Sequence, residues 1–346
     1  MKKETLVQII IIVVLTIILV VSVKFTFDAI NMRHMPMMPF EEEEVEKETK
    51  AEDVKAGETI AENNIDLSRY NSNVTITKAG EYTLSGTFEN AILVNSDDDV
   101  TLTLNNVNIN NTVTAAIANI GKGKLTLKLS ANTVNTLTDG GSSEYDACIY
   151  SNGALVIEGE GTLNVNGKQV EGEGIATETS DITINGGSIN IECADDGINA
   201  GGDGGIITVN GGNIYIKASG DGIDSNKDLV INGGSVYTMG SSVGGDAGID
   251  TDGDFAINGG SVIALGSDML QKPDAASKQK SVCFNLSNQI AKGSKISMQT
   301  ANGEEIVAFD ANEDFRTLIV SNSKVISGSY TLYQNGTKTN YTATVE

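Results

Sequence analysis

The chain has 346 residues and carries 46 acidic against 23 basic ones, a formal net charge of −23, with 38 Gly, 3 Pro and no Trp. So acidic a surface repels phosphate backbones and anionic headgroups, which excludes nucleic acid and lipid surfaces as default partners. The Gly content excludes a coiled coil, and the abundance of Ile, Val and Leu excludes a disordered chain.

Residues 7–23 are apolar except for Gln8, Thr16 and Ser22, and Lys2 and Lys3 precede them. As a helix this run reaches ~26 Å, enough to cross a bilayer core with flanking help. The preceding lysines keep the N-terminus cytoplasmic and export the rest. No small-residue cleavage site follows, so residues 1–30 read as a cytoplasmic tip and an uncleaved transmembrane signal anchor rather than a removed leader. The next stretch, 31–58, holds the run Glu41, Glu42, Glu43, Glu44 and the single His of the chain, His34. It reads as a solvated linker.

From Ala91 onward one phrase repeats: an acidic or Gly-rich turn, an Ile, a strand, Asn-Gly-Gly, another strand. The Ile recurs at Ile92, Ile117, Ile149, Ile175, Ile198, Ile223 and Ile249, with Phe284 as an eighth candidate. The Asn-Gly-Gly corners begin at Asn185, Asn210, Asn232 and Asn258. Two independent landmarks keeping a period of about 25 residues predict a solenoid of short strands. The fold class expected is all-β, a parallel β-helix over 59–285 including an N-terminal cap drawn from 60–84. Stacked coils lie ~4.8 Å apart, so the corner Asn residues are expected to bond from coil to coil. Residues 286–346 lose the repeat and predict a small β-cap, with strands near 295–298, 305–308, 317–320 and 329–332. The three Cys, Cys148, Cys193 and Cys283, form no zinc pair or disulfide framework and read as buried residues, with Cys148–Cys283 the one bridge to check.

Several phrases carry a resemblance. They are Ala79-Gly80-Glu81-Tyr82-Thr83-Leu84-Ser85-Gly86, then Val100 to Val107, then Asn135 to Gly140, then Asp-Gly-Ile turns at Asp196-Gly197-Ile198 and Asp221-Gly222-Ile223. Over residues ~60–345 the chain resembles the clostridial cellulose- and acid-sugar-binding β-helix family of carbohydrate-binding domain-containing proteins. That resemblance implies a right-handed, pectate-lyase-like parallel β-helix, bound calcium, and binding of cellulose and polygalacturonate without catalysis. The chain departs from the motif at Ala247-Gly248-Ile249, where Ala stands in place of Asp and Asp246 precedes it.

Aligning coils on the Ile stacks the acidic residues. Two places before it stand Glu173, Asp196 and Asp221, with Asp195 beside Asp196; one place after it stand Asp224 and Asp250, with Asn199 in the coil before; Asp246, Asp252 and Asp254 lie in adjoining turns. Carboxylates laddered ~4.8 Å apart repel unless a cation sits between them. An all-oxygen set of this kind suits calcium, whereas zinc or copper would want His or Cys. The eight Asp residues are therefore the expected metal ligands, against the blander reading of Asp as a turn residue. A cation with open positions would also let so acidic a surface accept sugar carboxylates. On a second face Tyr215, Lys217 and Tyr237 point outward and form a candidate sugar platform; the alternative is packing under the C-terminal segment.

The expected function is calcium-dependent binding of acidic polysaccharide, and of cellulose, on the extracellular face of a membrane. A pectin lyase or hydrolase is the runner-up, since Asp195-Asp196 resembles the Asp-Asp turn of β-helical polygalacturonases. However, Arg occurs only at Arg33, Arg69 and Arg316, all outside the repeats, and His34 is at the membrane. Only Lys168, Lys217 and Lys227 remain to take a proton there. A structural surface adhesin is the third reading.

Overall fold

Strands mostly of three to six residues, with side chains alternately inward and outward, are joined by Gly- and Asp-rich corners that turn the chain through each coil. The computed structural model describes residues 57–59, 62–140, 145–169, 172–202 and 205–346. The expected membrane segment and nearly all of the linker lie outside these. Among the described residues no helix is long and apolar enough to cross a membrane.

The architecture is a parallel β-solenoid. One nine-stranded sheet stacks the strand that opens each coil, and a seventeen-stranded sheet carries the other strands of every coil. The Ile landmarks coincide with the register: Ile92 pairs with Ile117, Ile117 with Ile149, Ile149 with Ile175, Ile175 with Ile198, and Ile198 with Ile223. All are buried. Further ladders close the core, such as Leu155, Ile182, Ile207, Leu229 and Phe255. The stack begins earlier than the Ile pattern indicates. Val74–Ile76 is already a coil strand paired with Ile92–Val94, so the stretch expected as a cap is solenoid.

Each Asn-Gly-Gly corner works by two devices. The amide of Asn210 donates to Asn185 Oδ1 at 2.9 Å, Asn232 to Asn210 at 2.9 Å and Asn258 to Asn232 at 3.0 Å, the ladder expected from the repeat. The second Gly of the corner takes positive φ, +94° at Gly212, and a Cβ there would lie 2.9 Å from the Gly187 carbonyl oxygen of the coil below. Only Gly meets both demands.

Past Gly266 the chain leaves the solenoid. Phe284 is not an eighth coil position: it lies on Ser281–Ile290 and pairs antiparallel with Leu318 on Phe315–Ser321. That second strand also caps the last coil strand, Ser261–Gly266, antiparallel. The segment between them seals the remaining edges. Gln271 takes the Thr251 N–H on Oε1 and donates to the Thr251 carbonyl, both at 2.6 Å, and Asp274 Oδ2 takes the Phe255 N–H at 2.6 Å. These close an edge that would otherwise template further strands. A four-stranded antiparallel sheet, built from Lys295–Thr300, Glu305–Asp310, Gly328–Gln334 and Thr337–Val345, completes the C-terminal end. All three cysteines are free thiols.

Candidate functional site

The outward positions of the nine-stranded sheet change character along the stack. Leu93, Ala118, Tyr150 and Ala176 stand in register on the early coils, followed by Asn199, Asp224 and Asp250. Two places before the Ile, Glu173, Asp196 and Asp221 form a second row alongside, and Asp196 and Asp221 open Asp-Gly-Ile turns. The Gly of each turn is required by close packing: a Cβ on Gly197 would sit 2.4 Å from the Gly222 carbonyl oxygen, and one on Gly222 would sit 2.4 Å from that of Gly248. With the backbones this close, each Asp reaches the next coil. Asp196 Oδ1 accepts the Asp221 N–H at 2.6 Å, and Asp221 Oδ1 accepts the Ala247 N–H.

The two rows converge on Asp196, Asp221 and Asp224. One ligand oxygen from each lies within 4.8 Å of the others, and all three side chains are half-buried. Asn199 Nδ2 donates to Asp196 Oδ2 at 2.9 Å and reaches Asp224 Oδ2 at 3.5 Å, so its amide bridges the two carboxylates. Burial, aided by mutual repulsion, pushes the Asp196 carboxyl up to about 6 and those of Asp221 and Asp224 up to about 7. Oxygens lying within 4.8 Å of one another fit a calcium ion, which sits ~2.3–2.6 Å from each ligand. Among the described residues no His or Cys joins the cluster: Cys193 lies close, but its Sγ donates to the carbonyls of Asp195 and Asp196, and burial pushes its thiol up to about 12.

The other expected ligands are distributed around this triad. Asp195 and Asp246 are half-buried in the turns on either side, and Asp250, whose carboxyl burial also raises, continues the Asp224 row and accepts the Thr251 N–H at 2.9 Å. Asp252 is exposed in the following turn. Asp254 belongs to a different corner, where the Asp254 N–H donates to Asp228 Oδ1 at 3.0 Å as part of a turn ladder. Ala247 is buried, so where Ala replaces Asp that position contributes a backbone N–H to Asp221 and no carboxylate, while Asp246 and Asp250 flank it in the same coil.

Three residues outside the expected set extend the acidic groove. A cavity of about 270 Å³ beside the triad is lined by Asp146, Glu173 and Glu178, with Tyr150, Asn199 and Asp224. Burial, reinforced by Asp146, pushes the Glu173 carboxyl up to about 8, and its Oε2 is buried without a hydrogen-bond partner. Tyr150 OH donates to Asn152 Oδ1 at 2.8 Å and lies 3.3 Å from Glu178 Oε2. Asp146 and Glu178 sit three places before and after their Ile, offsets that an alignment on Asp-Gly-Ile passes over.

Tyr215 and Tyr237 stack at 5.6 Å between ring centroids with 14° between planes. The C-terminal sheet covers them, as in the packing alternative. Phe309 meets Tyr237 edge-on at 5.9 Å, Tyr237 OH donates to the Asp310 carbonyl at 3.3 Å, and Asn312 donates to Tyr215 OH at 3.1 Å. Lys217 pairs with Glu192 at 2.8 Å and with Glu313 of the same C-terminal region at 3.3 Å. These three residues join the solenoid to its C-terminal sheet.

Comparison with known proteins places this geometry in context. The family described as carbohydrate-binding domain-containing protein matches residues 70–332. A curated carbohydrate-binding domain-containing protein of Acetivibrio thermocellus is 36% identical over 141 residues, covering 37% of this chain and 48% of the relative, so the match spans about half of that protein's length. A solved structure described as the polysaccharide lyase-like protein from C. thermocellum, gadolinium derivative, aligns at 26% identity with a TM-score of 0.43, covering 62% of this chain and 96% of the other.

Proposed function

The chain belongs to the carbohydrate-binding domain-containing protein family, and from that membership we propose that it binds acidic polysaccharide through calcium held by Asp196, Asp221 and Asp224. The observation that carries the reading is the convergence of three half-buried carboxylates from two successive coils within 4.8 Å. Carboxyls lifted to about 6 and 7 mark a site where charge is poorly compensated by the protein's own groups. A divalent cation supplies that compensation. With three protein ligands of the 6–8 oxygens calcium takes, open positions remain for a sugar carboxylate and hydroxyls. The amide of Asn199 is one further candidate, since exchanging its oxygen and nitrogen would turn Oδ1 toward the ion.

Binding rather than catalysis suits the surroundings. Lys217 is committed to Glu192 and Glu313, and Lys168 and Lys227 are exposed. Calcium would bridge the acidic surface and the anionic glycan, which otherwise repel. Residues 7–23, with Lys2 and Lys3 before them, would anchor the domain to the cell membrane with the solenoid outside. Cellulose is a further candidate ligand through the same family. The test is isothermal titration of polygalacturonate into the full chain, with calcium and with excess chelator, on the parent and on D196N/D221N/D224N. The expected result is strong binding only for the parent with calcium. Equal affinity in the triple variant refutes the site. New reducing ends or new unsaturated product on the same polymer would make the protein an enzyme.

A further inference from the structure

Two buried polar side chains of the early coils lie behind the acidic groove without touching the cation triad. Asp139 is 1% and Gln169 2% exposed, and such groups are rarely this buried unless their hydrogen bonds are met. Both oxygens of Asp139 are engaged: Oδ1 accepts the Lys168 N–H at 2.5 Å and Oδ2 accepts from Gln169 Nε2 at 2.7 Å. Burial raises the Asp139 carboxyl, and these donors act against that rise. The other hydrogen of the Gln169 amide is shared between the Tyr145 carbonyl at 3.0 Å and the Ala147 carbonyl at 3.5 Å.

The residue between those two carbonyls is Asp146, which lines the cavity of about 270 Å³ beside the triad. Its own carbonyl accepts the Glu173 N–H at 2.7 Å, and Ala147 pairs in register with Glu173. Asp146 is therefore held through the carbonyls on both sides and through its own, and Glu173 is fixed to it. The two carboxyls repel, since Asp146 is, after burial, the next cause of the rise at Glu173. Side chains that repel stay on one wall only if the backbone beneath them does not yield.

The direction of the Gln169 amide depends on Asp139. An ionised carboxylate only accepts, so it faces the NH2 end and sends the other hydrogen toward the Tyr145 and Ala147 carbonyls. Asn at position 139 removes that control. Turned to accept from Lys168, it presents NH2 to the Gln169 NH2; if Gln169 flips in response, its oxygen meets the two carbonyls. Either arrangement leaves like poles facing each other in a buried place, which is costly.

We infer that Asp139 and Gln169 are positioning residues for the groove, holding Asp146 and Glu173 against the cation site and so setting its affinity from outside it. The effect on affinity rests on the calcium reading of the triad; the effect on position rests on the hydrogen bonds alone.

The test uses the full chain and two variants of nearly unchanged volume, D139N and Q169M. Calcium affinity by isothermal titration should fall roughly three- to tenfold in each, less than the ~10–100-fold typical of a partner bonded directly to a metal ligand. In a D146N/E173Q background the same substitutions should change affinity by less than about twofold, because the carboxylates they position are gone. Hydrogen exchange in chelator reads the positioning without the ion. The Glu173 N–H should exchange faster in both variants, while the Asn210 and Asn232 N–H groups, in corners further along the stack, keep their protection. Should D139N fail to fold, Q169M, which leaves the Lys168–Asp139 bond in place, carries both measurements. Unchanged affinity, an equal loss in both backgrounds, or unchanged exchange at Glu173 each overturns the inference. A parent that binds no calcium while exchange at Glu173 responds as described removes the calcium reading and upholds the positioning.

Discussion

Replacing Asp221 with Asn separates the two roles of that residue. Asn keeps an oxygen to accept the Ala247 N–H but removes the charge. In the metal-free protein the Asp221 carboxyl is raised from its ordinary 3.8 to about 7 by burial first and by Asp196, Asp250 and Asp224 next. At ~1.36 kcal/mol per tenfold change in acidity that caps the destabilisation by the ionised form at ~4 kcal/mol. Solvent reaches this half-exposed group, and screening reduces the figure to about 1–2 kcal/mol. D221N in chelator at mildly alkaline pH should therefore melt higher than the parent. In calcium the order should invert. The parent gains ~2.7 kcal/mol when the free ion is at ~100 times its dissociation constant, and D221N, short of one ligand, gains far less. The assay is a pair of thermal melts by circular dichroism for each protein, with chelator and with saturating calcium. Two outcomes refute the reasoning: D221N stabilised by calcium as much as the parent, or destabilised relative to it in chelator.

The same groups set a pH dependence. Asp196, Asp221, Asp224 and Glu173 all have folded-state values above the ordinary carboxylate range, so the folded protein holds their protons more tightly than the unfolded chain does. Their contribution to stability is complete below the ordinary range and fades as pH rises through about 6, 7 and 8. Urea midpoints across that window should fall in chelator and flatten in calcium, and a rise in chelator would contradict the assignment. Gly212→Ala forces a Cβ against the Gly187 carbonyl oxygen at φ +94° and should cost about 1–3 kcal/mol; an unchanged melting temperature would remove the corner argument. Tyr237→Ala should cost about 3 kcal/mol by opening the seam with the C-terminal sheet, and should leave polysaccharide binding intact. Lost binding at unchanged stability would restore the tyrosines as a sugar platform.

The solenoid is legible in the sequence because its physics is periodic. A residue that must face the core in every coil returns as Ile, and a corner that needs positive φ returns as Gly, so Ile175, Ile198 and Ile223 and the Gly pairs after Asn185, Asn210 and Asn232 announce themselves. Asp196, Asp221 and Asp224 are legible for the same reason, lying at fixed offsets from that Ile. What the period does not encode is how the ends close. Phe284 keeps the right hydrophobic character yet belongs to an antiparallel strand, because pairing direction is set by Phe315–Ser321, a segment outside the repeat. Outward-facing Tyr215 and Tyr237 read as available from the alternation alone; the C-terminal region that covers them comes from residues 97 and 73 positions later. Glu178 and Asp146 join the groove through stacking across coils of unequal length, an arrangement that only the three-dimensional register defines.

The central claim is that a cation held by Asp196, Asp221 and Asp224 joins this acidic surface to an acidic glycan. Its most direct measurement is polygalacturonate binding to the full chain before and after calcium is removed. Affinity should collapse in excess chelator and return when calcium is restored. Affinity for the polymer that persists undiminished in chelator would contradict it.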